Sequence, residues 1–152
     1  MKFDDFEKIY NQVKGRRPLW LSNDMEPPAS DAEIQSLEDH IKVKLPEEFV
    51  VFLKKVGSGY FGMTNVLSAS RAGDWFLPDL MDRYGNLPKD FIPVSDDETG
   101  GYFGFKVNEG VCEKAIYYTH PDDGSELTLK YADLFEYLAK VGLGASEVPQ
   151  VS

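Results

Sequence analysis

The segment from Ser30 to Gly59 constrains the fold most, because it carries the start and stop signals of two consecutive helices. Ser30 is followed three residues later by Glu33, the spacing of a capping box that satisfies free N–H groups at a helix start. Pro46 suits the first position of a second helix, where its missing N–H costs nothing. Glycine at Gly57 and at the end of the segment suits a left-handed helix end. The sequence therefore predicts a pair of short helices.

Apolar residues at helical spacing give these two helices, and two more, one face each that is expected to be buried. The segment before Gly15 forms an N-terminal helix, and Asp133 caps a C-terminal helix that glycines end after Val141. The apolar positions are Phe3, Phe6, Ile9, Tyr10 and Val13; Ile34, Leu37 and Ile41; Phe49, Phe52, Leu53 and Val56; and Leu134, Phe135, Leu138 and Val141.

The periodicity changes to the alternation typical of strands after Phe91. Phe91–Val94 predicts a buried strand, with Pro93 indicating an edge or a bulge. Tyr102–Val107 alternates, so that Phe103, Phe105 and Val107 are expected inside and Tyr102, Gly104 and Lys106 outside. Short turns then lead into Val111–His120 and a last strand at Leu127–Lys130, which predicts an antiparallel meander. We expect one α+β domain over residues 1–152, an antiparallel sheet packed against helices, with a tail that frays from about residue 145.

Two further elements are expected between the helix pair and the sheet. The aromatic and β-branched run Tyr60–Leu67 predicts one strand. Trp75, Leu80, Met81 and Tyr84 are spaced as one side of a short helix that Gly85 ends.

Two blocks of the sequence, one in the helix pair and one in the predicted hairpin, resemble the SUKH superfamily. Their order and spacing carry the resemblance, since neither block is a catalytic signature. It spans roughly Ser30 to Leu138 and implies a SUKH-like domain with a core hairpin. The matching residues are Ile41, Leu45, Pro46, Phe49, Phe52, Leu53 and the glycines that follow, then Phe91–Asp97, Gly100–Phe103, Val111 and Tyr117–His120.

One position departs from the family pattern. The family usually has glycine after the apolar residue at Ile41, and this chain has Lys42. Because a β-carbon strains the left-handed backbone that such a glycine adopts, the sequence leaves the end of the first helix open.

The charge balance excludes several classes of partner. The chain has 16 basic and 26 acidic residues, a net charge of -10, which repels nucleic-acid backbones and anionic membrane surfaces. The acidic residues concentrate between Asp74 and Glu126. This third of the chain is either an ordinary solvated acidic surface or a surface complementary to a basic partner.

The residues with catalytic potential form no recognisable set. His40 and His120 lie in no metal-binding pattern, and Cys112 has no neighbouring histidine, so neither catalysis, a metal site nor a cofactor is expected. Glycines around Gly100 lack the helix and the lysine of a phosphate-binding loop. The single cysteine, the acidic N-terminus and the lack of an 18-residue apolar run lead us to expect a cytoplasmic protein.

Aromatic residues interleaved with acids are typical of a protein-binding surface, because aromatics bury large areas and charges set the register. Core packing is the alternative for Trp75 and for one of Tyr117 and Tyr118, and the sequence does not distinguish which tyrosine is exposed. The predicted partner-binding residues are Trp75, Asp96, Asp97, Glu98, Tyr102, Asp122, Asp123 and Glu126.

The resemblance implies two possible functions. Bacterial SUKH members are mostly immunity proteins that bind and neutralise toxin domains, often nucleases, whereas eukaryotic members connected with cell-wall synthesis imply a regulatory or scaffolding module. The acidic charge favours the first, with a basic cognate toxin domain as partner. The identity of the toxin and the oligomeric state stay open.

Overall fold

The structure is a computed structural model, and it describes residues 1–21, 25–83 and 87–145. The helices are α1 (Phe3–Arg16), α2 (Asp31–Ile41), α3 (Glu47–Lys55), α4 (Leu77–Arg83) and α5 (Leu134–Tyr137). The strands are β1 (Met25–Glu26), β2 (Ser58–Phe61), β3 (Thr64–Val66), β4 (Phe91–Asp96), β5 (Tyr102–Asn108), β6 (Val111–Thr119) and β7 (Thr128–Tyr131).

The strands form two antiparallel sheets that meet at β3 and β4. One sheet has the order β1-β2-β3 and the other β4-β5-β6-β7. The N–H of Leu67 donates to the carbonyl of Val94 at 2.8 Å. The Asn65 side chain donates to the carbonyl of Asp96 at 2.7 Å and accepts from the Asp96 N–H at 2.8 Å. At this seam the Asn65 side chain replaces a residue-to-residue pair of backbone hydrogen bonds. The two antiparallel sheets and the helices together confirm the predicted α+β fold.

Local signals start and end the central helices. The capping box is present, since the Glu33 N–H donates to Ser30 Oγ and the Ser30 N–H donates to Glu33. Lys42 ends α2 in the left-handed conformation, with φ 58° and ψ 35°. Pro46 was predicted as the first helical residue, but it is the N-cap of α3, with extended ψ of 146°. The helix therefore starts one residue later, and the Pro46 carbonyl accepts from the N–H groups of Phe49 and Val50, as an N-cap carbonyl does.

A cluster of aromatic rings joins the helices to the first sheet. Phe6 of α1 has ring centroids 6.1 Å from Phe52 of α3, 6.1 Å from Phe61 of β2 and 5.1 Å from Phe135 of α5. These rings are 2% exposed or less. Each contributes about 1.5–3 kcal/mol by leaving water. Helices from both ends of the chain therefore share one core.

The second sheet uses the same core through α3. Phe49 of α3 packs on Phe105 of β5 with ring centroids 5.7 Å apart, and both rings are fully buried. The predicted irregularity at Pro93 is present, since the pairing of β4 with β5 shifts register between Pro93 and Ser95. Asp133 caps α5 as predicted by accepting from the Glu136 N–H at 2.9 Å, and a π-helical segment, Leu138–Gly142, continues the helix.

Several sequence predictions need correction. Tyr60–Leu67 is not one strand but a hairpin of β2 and β3, because Gly62 turns the chain with a φ of 58°. A β-carbon at Gly62 would lie 2.1 Å from the carbonyl oxygen of Gly142. Trp75 precedes α4 rather than lying on it. Tyr84 and Gly85, and the tail from residue 146, lie outside the described residues.

The alternation predicted for β5 is also only partly correct. Phe105 is fully buried, but Tyr102, predicted to face outward, is 3% exposed, and Gly104 is buried as well. At Gly104 a β-carbon would lie 2.2 Å from the carbonyl oxygen of Ile92 on β4. This end of the sheet is therefore covered on both faces.

Candidate partner-binding surface

The 96–101 loop, which joins β4 to β5, is organised by the side chain of Asp97. Its Oδ1 accepts hydrogen bonds from the N–H groups of Thr99 and Gly101 at 2.8 and 2.9 Å, and its Oδ2 accepts one from the Tyr118 hydroxyl. Burial acts to raise the pKa of Asp97, but these bonds to its charged form hold it below the usual value. Asp97 therefore fixes the conformation of the 96–101 loop in addition to carrying a negative charge.

Asp96 and Glu98 keep carboxylate oxygens available on either side of Asp97. Asp96 Oδ1 accepts from the Glu98 N–H at 2.7 Å, and Glu98 Oε1 accepts from the Tyr60 hydroxyl at 3.2 Å. Their second oxygens receive no hydrogen bond from the residues that the structure describes. Burial raises the pKa of Asp96, and the charges of Asp97 and Glu98 add to this shift. A cation bound beside Asp96 and Glu98 would therefore be stabilised by their negative charges.

His120 connects the 96–101 loop to the second acidic turn, Pro121–Asp123. Its Nε2 lies 3.0 Å from the carbonyl oxygen of Thr99, and its Nδ1 accepts from the Asp122 N–H at 3.1 Å. This arrangement needs the neutral tautomer, with the proton on Nε2 donated to Thr99. Asp122 Oδ2 lies 3.7 Å from Nδ1. The histidine places the exposed Asp122 and Asp123 beside the loop.

A groove of about 310 Å³ separates the 96–101 loop from the β2–β3 hairpin. The residues along it carry carboxylates, aromatic rings, small polar groups and the apolar side chains of Met63 and Val141, and none of those described is a lysine, arginine or histidine. They are Tyr60, Gly62, Met63, Thr64, Asn65, Asp96, Asp97, Glu98, Phe103, Tyr137 and Val141.

A hydroxyl network makes the base of the groove rigid. Thr64 Oγ1 lies 2.9 Å from the Tyr137 hydroxyl and 3.0 Å from Ser95 Oγ, and the Tyr137 hydroxyl donates to Ser95 at 2.9 Å. Ser95 also donates to Asn65 at 3.3 Å. Tyr137 and Ser95 are 1% exposed or less, so this network lies under the groove and fixes the hairpin against α5.

Two exposed apolar side chains at the groove were not among the predicted site residues. Tyr60 is 45% exposed and Met63 is 69% exposed. The Tyr60 ring meets the predicted Trp75 edge to face, with centroids 5.0 Å apart, and Trp75 is half-buried. Gly62, which turns the hairpin, was the signal that could have placed Met63 at an exposed tip.

The structure therefore brings most of the predicted acids together but not every predicted residue. Asp96, Asp97 and Glu98 line the groove, and Asp122 and Asp123 lie beside their loop. Glu126 is exposed but does not line the groove. Tyr102 is 3% exposed, so it presents almost no surface to a partner. Tyr117 and Tyr118 are both half-buried, and Tyr118 is engaged by Asp97.

The Cys112 side chain is buried and its thiol keeps its proton at neutral pH. The Cys112 thiol is 8% exposed, and burial, with the charge of Glu38, raises its pKa to about 12. Within residues 1–21, 25–83 and 87–145 no group of three or more His, Cys, Asp or Glu is placed to hold a metal ion. No helix in those ranges is long and apolar enough to cross a membrane.

Comparison with known proteins identifies the family. No curated protein matches the chain. The SUKH_6 family model, described as SMI1-KNR4 cell-wall, matches residues 31–138, from the start of α2 through α5, which is more than half of the chain. The helix pair, the hairpin of β5 and β6 and every groove residue except Val141 lie within the matched residues. The chain therefore belongs to the SUKH_6 (SMI1-KNR4 cell-wall) family.

Proposed function

We propose that this protein is an immunity protein that binds a basic toxin domain through the groove and the two acidic turns beside it. The SUKH family includes toxin immunity proteins. The observation that carries the proposal is the groove itself. Three carboxylates and the exposed side chains of Tyr60 and Met63 line it, and none of the described lining residues is cationic.

The chemistry of a nuclease explains why such a surface would neutralise it. A nuclease presents basic residues to the phosphate backbone, and an acidic protein can occupy the same residues. Complementary charges accelerate association, and apolar contacts at the centre of the interface supply affinity. The acidic turns would thus steer the toxin, while Tyr60 and Met63 would hold it.

The proposal is tested with charge reversals that leave Asp97 unchanged. Glu98→Lys, Asp122→Lys and Asp123→Lys together change the surface without removing the hydrogen bonds of Asp97. Asp96 is also kept, because its Oδ1 accepts from a loop N–H. We expect this variant to lose protection of cells that express the toxin domain encoded beside the gene, and to bind that domain at least about tenfold more weakly.

A matched control carries the same change in net charge elsewhere. Glu7, Asp39 and Asp82 are exposed residues on α1, α2 and α4, and none lines the groove. Reversing all three to lysine is expected to leave protection intact. Loss of protection in both variants, or in neither, would contradict the proposed surface.

A regulatory or scaffolding role is the second candidate, favoured by the cell-wall description of the family model. The same groove would then bind a cellular protein instead of a toxin. The two roles are distinguished by the neighbouring gene, since a toxin gene directly upstream supports immunity and its absence supports scaffolding.

A further inference from the structure

The groove places unused carboxylate oxygens beside aromatic rings. Asp96 Oδ2 and Glu98 Oε2 accept no hydrogen bond from any residue within the described ranges, whereas Asp97 uses both of its oxygens for the loop. The rings of Tyr60 and Phe103 also line the groove, and the Tyr137 ring, which is 1% exposed, lies beneath it. Two acceptors from two different side chains, next to an aromatic ring, favour a cation that donates several hydrogen bonds and stacks on a ring at the same time.

We infer that the groove is the docking site for one arginine side chain of the protein partner. The inference rests on the proposed function only in that the partner supplies the arginine. The guanidinium would bridge Asp96 and Glu98, and its apolar stem would lie along Tyr60 and Met63.

The geometry favours arginine over lysine. A guanidinium is planar, carries five N–H donors in a fixed fork and stacks on aromatic rings, so that it can contact two carboxylates and a ring together. An ammonium is a compact and strongly hydrated charge that loses more on leaving water. The groove volume of about 310 Å³ is enough space for one long side chain.

The position of Tyr60 supports a preformed site. Its ring is held against Trp75, and its hydroxyl donates to Glu98. The aromatic wall and one of the two carboxylates are therefore coupled before any partner arrives, which reduces the ordering cost of binding.

A divalent metal ion is a less suitable occupant. Asp97 already accepts three hydrogen bonds, and the described residues contain no group of three or more ligands for a metal.

The test is an NMR titration of the full chain with N-acetyl-arginine methylamide at constant ionic strength. We expect a dissociation constant of about 1–10 mM, with shifts concentrated at the amides of Gly62, Asn65 and Glu98. N-acetyl-lysine methylamide should bind at least about threefold more weakly. Magnesium chloride should not shift these amides.

Variants of Asp96 and Glu98 test the two carboxylate contacts with the arginine. Asp96→Asn keeps the acceptor for the Glu98 N–H and removes only the charge, and it should weaken arginine binding about tenfold. Glu98→Gln keeps an acceptor for the Tyr60 hydroxyl and should act in the same direction. Glu7→Gln on α1 makes the same change in charge and should have no effect, and thermal melting checks that every variant is folded.

Several results would overturn the inference. They are an absence of shifts in the groove up to about 100 mM arginine amide, equal affinity for lysine, tighter binding of magnesium, or equal weakening by Glu7→Gln. The outcome is separate from that of the proposed function. Toxin binding without arginine binding removes only this inference, and arginine binding without a toxin partner removes only the immunity role.

Discussion

Replacing Asp97 with alanine should unfold the 96–101 loop locally and destabilise the protein. The change removes the acceptor for the Thr99 and Gly101 N–H groups and for the Tyr118 hydroxyl. Thr99 is exposed, so water replaces its bond at little cost, but Gly101 is buried. An unsatisfied buried N–H costs about 1–3 kcal/mol, and the lost bond from Tyr118 adds to that.

The expected total is about 2–3 kcal/mol, which corresponds to a melting temperature about 4–12 °C lower for a domain of this size. Urea denaturation followed by circular dichroism measures the free energy of unfolding. Asp97→Asn keeps an acceptor at Oδ1 and should lose about 1 kcal/mol. Asp123→Ala, at an exposed acid in the neighbouring turn, is the control and should change stability by less than about 0.5 kcal/mol.

The pH dependence gives a second check on Asp97. A carboxyl whose pKa is lower in the folded state contributes stability above its unfolded pKa of about 3.9 and loses it as the pH falls through the folded value. The difference between the wild type and Asp97→Ala should therefore be constant above about pH 5 and decrease below about pH 4. A difference that stays constant to pH 2, or a loss no larger than that of Asp123→Ala, would refute the assigned role.

Three further changes test other parts of the fold. Lys42→Gly should raise the free energy of unfolding by about 0.5–1 kcal/mol, because relief of left-handed strain exceeds the entropy of glycine; an unchanged urea midpoint would contradict this. Phe52→Ala should cost about 3–5 kcal/mol, since the ring is 0% exposed and packs on Phe6 and Phe61; a loss below about 1 kcal/mol would contradict the shared core. Cys112 should not react with a thiol reagent at pH 8 until the chain is unfolded, and rapid reaction of the native protein would show that it is not buried as described.

Local signals made much of the fold predictable. The capping box at Ser30 and Glu33, the Asp133 cap and the irregularity at Pro93 depend on neighbours within a few residues, so a sequence pattern contains the whole cause. The hairpin of β5 and β6 was predictable for the same reason, because its two strands and its turn are continuous in sequence.

The errors occurred where distant elements decide the outcome. Tyr102 was expected to be exposed because alternation assumes one solvated face, whereas this end of the sheet is covered on both faces. The predicted acids were treated as equivalent charges, although Tyr118, from the next strand, makes Asp97 structural. Tyr60 and Met63 reach the groove only because Asn65 and Leu67 join the two sheets, a contact with no local signal.

The salt dependence of binding tests the central claim most directly. Under the proposed immunity role the partner is a basic toxin domain, and its association and dissociation rates with the wild type are measured at low and at high salt. We expect the association rate to fall at least about tenfold when added salt shortens the electrostatic screening length to less than about 8–10 Å. The dissociation rate should change little. The variant with Glu98, Asp122 and Asp123 reversed should associate slowly at both concentrations. Rates that are independent of salt, or equal losses in the acidic-surface variant and in its matched control, would contradict the account.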